Sequence, residues 1–189
     1  MATDERYPVP SEKCRVEEVI KRSRFITSVG YTETEQDARL FVDEIRKEFP
    51  DSSHNCWAYL IGTPVDSRMV GMSDDGEPHG TAGRPILTVL LHCGIGDLTA
   101  VVTRYFGGTK LGKGGLVRAY SGGIKNALEK LVLVEKIKYE TLRVVVKYSQ
   151  VTMLQRLLPT YEAQTISEAY GADATYEIKV PEIQAEPLR

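Results

Sequence analysis

The chain has 189 residues, 42% hydrophobic and 26% charged, enough apolar material for one domain or two small ones. Its net charge of -2 argues against a protein that is basic throughout, so a polyanion-binding surface must be local. No run approaches the roughly 18 continuous apolar residues of a membrane span, and the opening MATDERYPVP lacks the apolar centre of a secretory signal, so no membrane partner is expected. Cys14, Cys56 and Cys93 lie far apart without metal-type spacing, which fits reduced, buried thiols in a cytoplasmic protein.

Residues 1–12, with Pro8 and Pro10, read as a loose lead-in. Cys14 to Tyr31 is rich in Val, Ile and Phe with charges between, the pattern of two strands or one bent hairpin. Thr34 and Asp37 form a capping-box pair. Ala38, Phe41, Val42, Ile45 and Phe49 then recur at helical spacing up to Pro50. Asn55–Ile61 is an apolar run of strand length. Gly62–Arg84 has no apolar period and reads as one long loop. Pro85 suits the first position of a helix continuing from Ile86 to Cys93 and stopped by Gly94.

Leu98–Phe106 reads as a strand. Leu116–Val132 reads as a helix that turns Leu116, Ala119, Ile124, Ala127, Leu128 and Leu131 inward. Gly122 and Gly123 within it each cost about 1 kcal/mol relative to alanine, which points to another backbone packed closely there. Val134–Tyr139 is charged, a linker or a crossover strand. Thereafter come a strand over Thr141–Lys147 and a short helix capped by Ser149 and ended at Pro159. Strands over Gln164–Ala169 and Ala174–Val180 follow, and Pro181 opens a further helix. The order β-α-β-β-α is that of a ferredoxin-like unit without its last strand.

The stretch RYFGGTKLGKGGL, residues 104–116, sits between a strand and a helix, the context in which exposed amides capture phosphate. Gly107 to Gly114 departs from the P-loop pattern at its last position, where Gly114 replaces the hydroxyl residue that holds magnesium. No apolar strand ending in Asp supplies the metal's other contact, so nucleotide hydrolysis is rejected. Two readings stay open. The glycines can serve positive φ and close packing, or they can let the phosphates of a larger anion approach. From Arg104 to Lys130 six cations face the lone Glu129, so an acidic chain gathers positive charge on one strand-loop-helix unit. Tyr105, Phe106 and Tyr120 lie nearby to stack on bases; core packing is the alternative, above all for Phe106. The helix lysines equally suit a solvated face.

In SDDGEPHGTAGRP, residues 73–85, Asp74, Asp75, Glu77 and His79 are of the types that ligate a divalent metal or act as acid and base. Their spacing matches no EF-hand, and carboxylates in a glycine-rich loop commonly form solvated turns. His54 and His92 stand isolated in apolar surroundings and read as structural. Ser121, in A-Y-S-G-G, falls inside a helix rather than at a strand-to-helix turn, so it is not read as a nucleophile.

Together, SDDGEPHGTAGRP and LTAVVTRYFGGTKLGKGGLVRAYSGG resemble the signature of the IMPACT/YigZ family in its bacterial two-domain form, over roughly residues 14–133 with a weaker match from Tyr139 onward. The resemblance implies an α+β chain of two domains, 1–136 and 137–189. The first would be similar to the second domain of a small-subunit ribosomal protein and to domain IV of elongation factor G. That is a mixed sheet with helices on one face and a rare left-handed β-α-β crossover. The second would be ferredoxin-like, similar to domain V of that factor, its last strand missing beyond EIQAEPLR; an unpaired edge there would favour a homodimer, with a mobile C-terminus as the alternative.

Eukaryotic members of the family regulate translation through an extra N-terminal domain, for which residues 1–12 leave no room. For bacterial members the resemblance implies nucleic-acid binding connected with translation. The expected function is thus a non-catalytic RNA-binding protein of the translation apparatus, with tRNA, rRNA or the ribosome as partner and no cofactor or metal. The expected contacts are Arg84, Arg104, Lys110, Lys113 and Arg118, the amides of Gly107, Gly108, Gly112, Gly114 and Gly115, and Tyr105 and Tyr120 as stacking surfaces. The alternatives are a hydrolase with its site in Ser73–Arg84 and a regulator that docks on a protein of the translation apparatus.

Overall fold

The computed structural model describes residues 6–65 and 67–188, which divide into two compact units: residues 7–135, and residues 136–188 together with Arg6. The first unit contains β1 (Tyr7–Pro10), β2 (Cys14–Ile20), β3 (Ser23–Tyr31), α1 (Glu35–Glu48), β4 (His54–Gly62), β5 (Ser67–Ser73), α2 (Gly83–Leu91), β6 (Leu98–Tyr105), α3 (Lys113–Lys130) and all but the last residue of β7 (Leu133–Lys136). No helix among the described residues is long and apolar enough to cross a membrane.

Five strands form one sheet in the order β2-β3-β6-β4-β5, antiparallel throughout, and β1 pairs with β7. Strand alternation sorts the side chains onto two faces. Cys56, Ala58, Leu60, Leu98, Ala100 and Val102 meet Ile86 and Leu90 of α2 and Leu116, Ala119 and Ile124 of α3 in the main core. Trp57, Tyr59, Ile61 and Val101 point the other way, onto Ala38, Phe41, Val42 and Ile45 of α1. The expected mixed sheet with helices on one face is therefore corrected to an antiparallel sheet covered on both faces.

The same facts give the handedness of the connections. β3 and β4 both run antiparallel to β6, which lies between them, so β3-α1-β4 steps over one strand. β5-α2-β6 steps over β4 in the same way. A half-turn about the sheet normal superimposes one step on the other, yet α1 and α2 cover opposite faces. The two crossovers are of opposite hand, so one is the left-handed unit that right-twisted strands disfavour.

Local chemistry explains most element ends. Thr34 Oγ1 accepts from the Asp37 amide while Asp37 reaches back to the Thr34 amide, the capping box anticipated for α1. α2 begins at Gly83, so Pro85 lies in its first turn, where the missing N–H costs nothing. β5 falls inside the stretch read as loop. It is an edge strand paired only with β4, its Met69, Val70 and Met72 are all exposed, and it carries no alternation to betray it. α3 begins at Lys113 rather than Leu116, so the end of the glycine loop is its first helical turn.

The second unit contains β8 (Tyr139–Val146), α4 (Val151–Leu157), β9 (Gln164–Tyr170), β10 (Ala174–Pro181) and α5 (Glu182–Leu188). The antiparallel order β8-β10-β9 places β10 between the two strands joined through α4, the split arrangement of a ferredoxin-like fold. Tyr176, Ile178 and Ala174 pack on Leu154 and Leu158. Ser149 sits within a 3-10 turn before α4 rather than capping it.

Candidate nucleic-acid interface

Strand pairing collects distant segments at one end of the five-stranded sheet. Arg24 faces Tyr105, which sets the turn between β2 and β3 beside the end of β6. His54 faces Arg104, so β4 starts there too, and Ser73, at the end of β5, faces Trp57. The acidic loop and the glycine loop therefore leave the sheet at the same end, with the first turns of α2 and α3.

The acidic loop is turned inward. Asp74 accepts from the amides of Gly80, Ala82 and Gly83 at 2.8, 3.1 and 2.9 Å, caging the loop and capping α2, whose N-cap Ala82 has no side chain for the task. Partial burial pushes the Asp74 carboxyl up, but the three amides outweigh it and hold the group below its usual range. Asp75 accepts from the Asn55 amide at 2.6 Å and from Arg46 at 2.8 Å. Glu77 is buried, where its Oε1 accepts from the Arg104 guanidinium and, at 2.8 Å, from the Tyr120 hydroxyl. His54 Nε2 lies 3.9 Å from that oxygen, and its Nδ1 is 2.8 Å from the Asp75 carbonyl.

Behind them the Cys56 thiol lies 2.9 Å from the Asp74 carbonyl oxygen and 3.4 Å from the Tyr120 hydroxyl. Burial pushes Cys56 up to about 12 and drives the Tyr120 phenol well above its ordinary value, so both keep their protons. The three carboxylates are engaged by protein donors, and His79 is fully exposed, 3.7 Å from Asp74. Among the described residues, no group of His, Cys, Asp and Glu has the arrangement of a metal site. Ser121 Oγ donates to the Val117 carbonyl at 2.7 Å, as a helix serine does.

Several sequence expectations change here. Arg104 is 4% exposed, paired with Glu77 and stacked by its guanidinium over Phe25 and Phe106, so it does not face a ligand in solvent. Tyr120 is 0% exposed and packs edge-on to Phe25, which removes it as a stacking surface. Phe106 goes the other way: expected in the core, it is 49% exposed. Tyr105 is half-buried, its hydroxyl donating to Asp51 at 2.9 Å and its ring beneath Arg24. Nor are two histidines isolated among apolar groups: His54 belongs to the buried polar cluster, and His92 is exposed at the end of α2.

The glycine loop is turned outward, and its glycines divide by cause. A Cβ on Gly107 would lie 1.9 Å from the Arg22 carbonyl oxygen, so this position admits no side chain. Gly108 and Gly112 have φ of 80° and 76°, the left-handed region. Gly114 fits neither cause: its φ is not positive, and a Cβ there would meet nothing within 4 Å. Among the described residues the fold leaves open space at Gly114 in the first turn of α3, where the N-cap Gly112 has no side chain to offer the exposed amides. In mid-helix, a Cβ on Gly123 would meet the side chain of Thr27 at 2.6 Å, whereas one on Gly122 would meet open space, so the close backbone anticipated at both is corrected to a close side chain at one.

Lys110 and Lys113 lie on this loop and at the start of α3, Arg118, Lys125 and Lys130 follow along α3 to its far end, and Arg84 is in the first turn of α2; all are exposed, and none has an ion-pair partner among the described residues. Elsewhere in the same unit Lys13, Arg15, Arg24, Arg39 and Arg46 each have a carboxylate partner. Lys21 and Arg22, which sequence reasoning passed over, join the first set, because Gly107 packs on the Arg22 carbonyl. A groove of about 700 Å³ between α2 and α3 has an apolar floor of Val89, Val117 and Leu128 and carries Arg84 and Lys125.

The Impact N-terminal domain matches residues 21–128, a segment that holds both loops, and a domain of unknown function (DUF1949) matches residues 144–189. The chain is 41% identical to the IMPACT family member YigZ of Escherichia coli (strain K12), over 94% of this chain and 87% of that protein. It is 42% identical to an IMPACT family member of Haemophilus influenzae, over 88% of this chain and 81% of the relative. A crystal structure of a hypothetical protein aligns with 97% of this chain and 89% of its own at a TM-score of 0.73 and 38% identity. By domain content and by these relatives, the chain belongs to the IMPACT family.

Proposed function

We propose that this IMPACT-family chain is a non-catalytic RNA-binding protein linked to translation or its regulation, holding phosphates with the glycine loop and α3. One observation carries the reading. In a chain of net charge -2, the cations of the glycine loop and α3 stand exposed and unpaired among the described residues, while Asp74, Asp75 and Glu77 of the neighbouring acidic loop are turned inward. Like charges left together without partners repel one another, so the arrangement favours binding to an anion. A phosphate chain fits better than a single nucleotide, because the cations run from the loop along α3 and no hydroxyl stands at Gly114 to hold magnesium.

Lys110, Lys113, Arg118 and Arg84 contact phosphates, the amides of Gly114 and Gly115 approach one of them, and Phe106 and Tyr105 offer ring faces to bases. Such contacts position a strand without reading its sequence, so selectivity is weak. The link to translation comes from the family resemblance and its elongation-factor-like fold; a protein of the translation apparatus is the further partner. The test is anisotropy of labelled single-stranded and hairpin RNA with wild type and with Lys110→Ala/Lys113→Ala. Binding that weakens in the variant supports the reading. Equal affinity of the two proteins removes it.

A further inference from the structure

The turn between β2 and β3 has a backbone that its residues do not favour. Ile20 pairs with Ser23, leaving a two-residue hairpin turn at Lys21 and Arg22. Both have positive φ, 46° and 69°. Such a turn is built most comfortably from Asn-Gly, because a residue with a long side chain in the left-handed region crowds its Cβ against the backbone. Strain of this kind persists only where the surroundings hold it. Here the holding groups are visible: Gly107 closes on the Arg22 carbonyl, and the Gly107 amide donates to Ser23 Oγ at 3.2 Å. The turn is thereby fixed against the glycine loop.

Both side chains are exposed and have no ion-pair partner among the described residues. The next cation along, Arg24, is tied to Glu17 at 2.7 Å. The β2–β3 hairpin thus pairs Arg15 and Arg24 with carboxylates and leaves Lys21 and Arg22 free, and those two occupy the strained positions beside the loop.

We infer that Lys21 and Arg22 form a second wall of the phosphate site, so that the RNA backbone runs between the β2–β3 turn on one side and Lys110 and Lys113 on the other. The inference rests on the reading of the glycine loop as a phosphate site and extends it to an element 80 or so residues away in sequence. It explains why a turn that Asn-Gly would relax carries two cations instead.

The experiment replaces Lys21→Asn together with Arg22→Gly in the full chain, which removes the charges and relaxes the turn. Melting temperature should rise by about 2–4 °C. Affinity for a labelled oligouridylate should nevertheless fall about tenfold, and the slope of log K against log salt should become shallower by about 1.4, two single-strand contacts. The charge-preserving pair Lys21→Arg with Arg22→Lys should bind as wild type does. Wild-type affinity and slope in the Asn-Gly variant, with loss in Lys110→Ala/Lys113→Ala, would overturn the second wall and leave the glycine-loop reading standing. Unchanged binding in both variants would overturn both.

Discussion

Asp74, Asp75 and Glu77 on one loop, and Lys110 and Lys113 on the next, leave the same end of the same sheet, yet the first set points into the protein and the second into solvent. The acidic loop gives each carboxylate amides, a guanidinium or a phenol as partners. The basic loop gives its cations none among the described residues. Buried, paired charge holds the fold and is costly to break from one side; exposed, unpaired charge adds little to the fold and is available to a ligand. Stability and RNA affinity should therefore separate cleanly between the two loops.

The largest effect is expected at Glu77. Glu77→Ala strands the Arg104 guanidinium and the Tyr120 hydroxyl in the core and should cost about 3–5 kcal/mol in urea unfolding. Glu77→Gln keeps an acceptor for Tyr120 and should cost less. A loss below about 1 kcal/mol for the alanine variant would mean that the inward loop is not a structural lock. Next comes Lys110→Ala/Lys113→Ala. Its unfolding free energy should stay within about 0.5 kcal/mol of wild type while RNA affinity drops about tenfold. A stability loss at these positions would blur the division between the loops.

Gly114→Ala sharpens the comparison because its two effects have opposite signs. Nothing crowds the new methyl group and the backbone is already helical, so stability should rise by about 0.4–1 kcal/mol. RNA affinity should fall, since the methyl group covers the amides of the first turn of α3. Binding at wild-type strength would return Gly114 to a purely local role. The smallest effect concerns acid. The Asp74 carboxyl is depressed in the folded chain, so its stabilising contribution is complete above about pH 4, the unfolded value, and fades as pH falls through the lower folded value. Asp74→Asn should reduce the acid sensitivity of unfolding below that point, seen as a flatter plot of unfolding free energy against pH.

Much of the fold was legible from local rules. The Thr34–Asp37 box and the spacing of Phe41, Val42 and Ile45 marked α1, and the β-α-β-β-α order marked the ferredoxin-like unit. β5 was not legible, since an edge strand with exposed Met and Val residues and a glycine inside lacks the period that a buried strand shows. The burial of Arg104 left a signal: two-residue alternation places it on the face of Leu98, Ala100 and Val102. Tyr120 likewise falls on the inward stripe of α3, one turn before Ile124. Their shared partner Glu77 could not be found by pattern, because the contact is made through a loop rather than a ladder. The place of Lys21 and Arg22 depends on strand order, which no local rule supplies.

The central claim is that the outward loop binds a phosphate backbone. Its most direct test is the salt dependence of single-stranded RNA affinity, from about 50 to 200 mM, for wild type and for Lys110→Ala/Lys113→Ala. The account predicts a steep wild-type decline of log K with log salt and a slope shallower by about 1.4 in the variant, the share of two phosphate contacts. Identical slopes in the two proteins would contradict it.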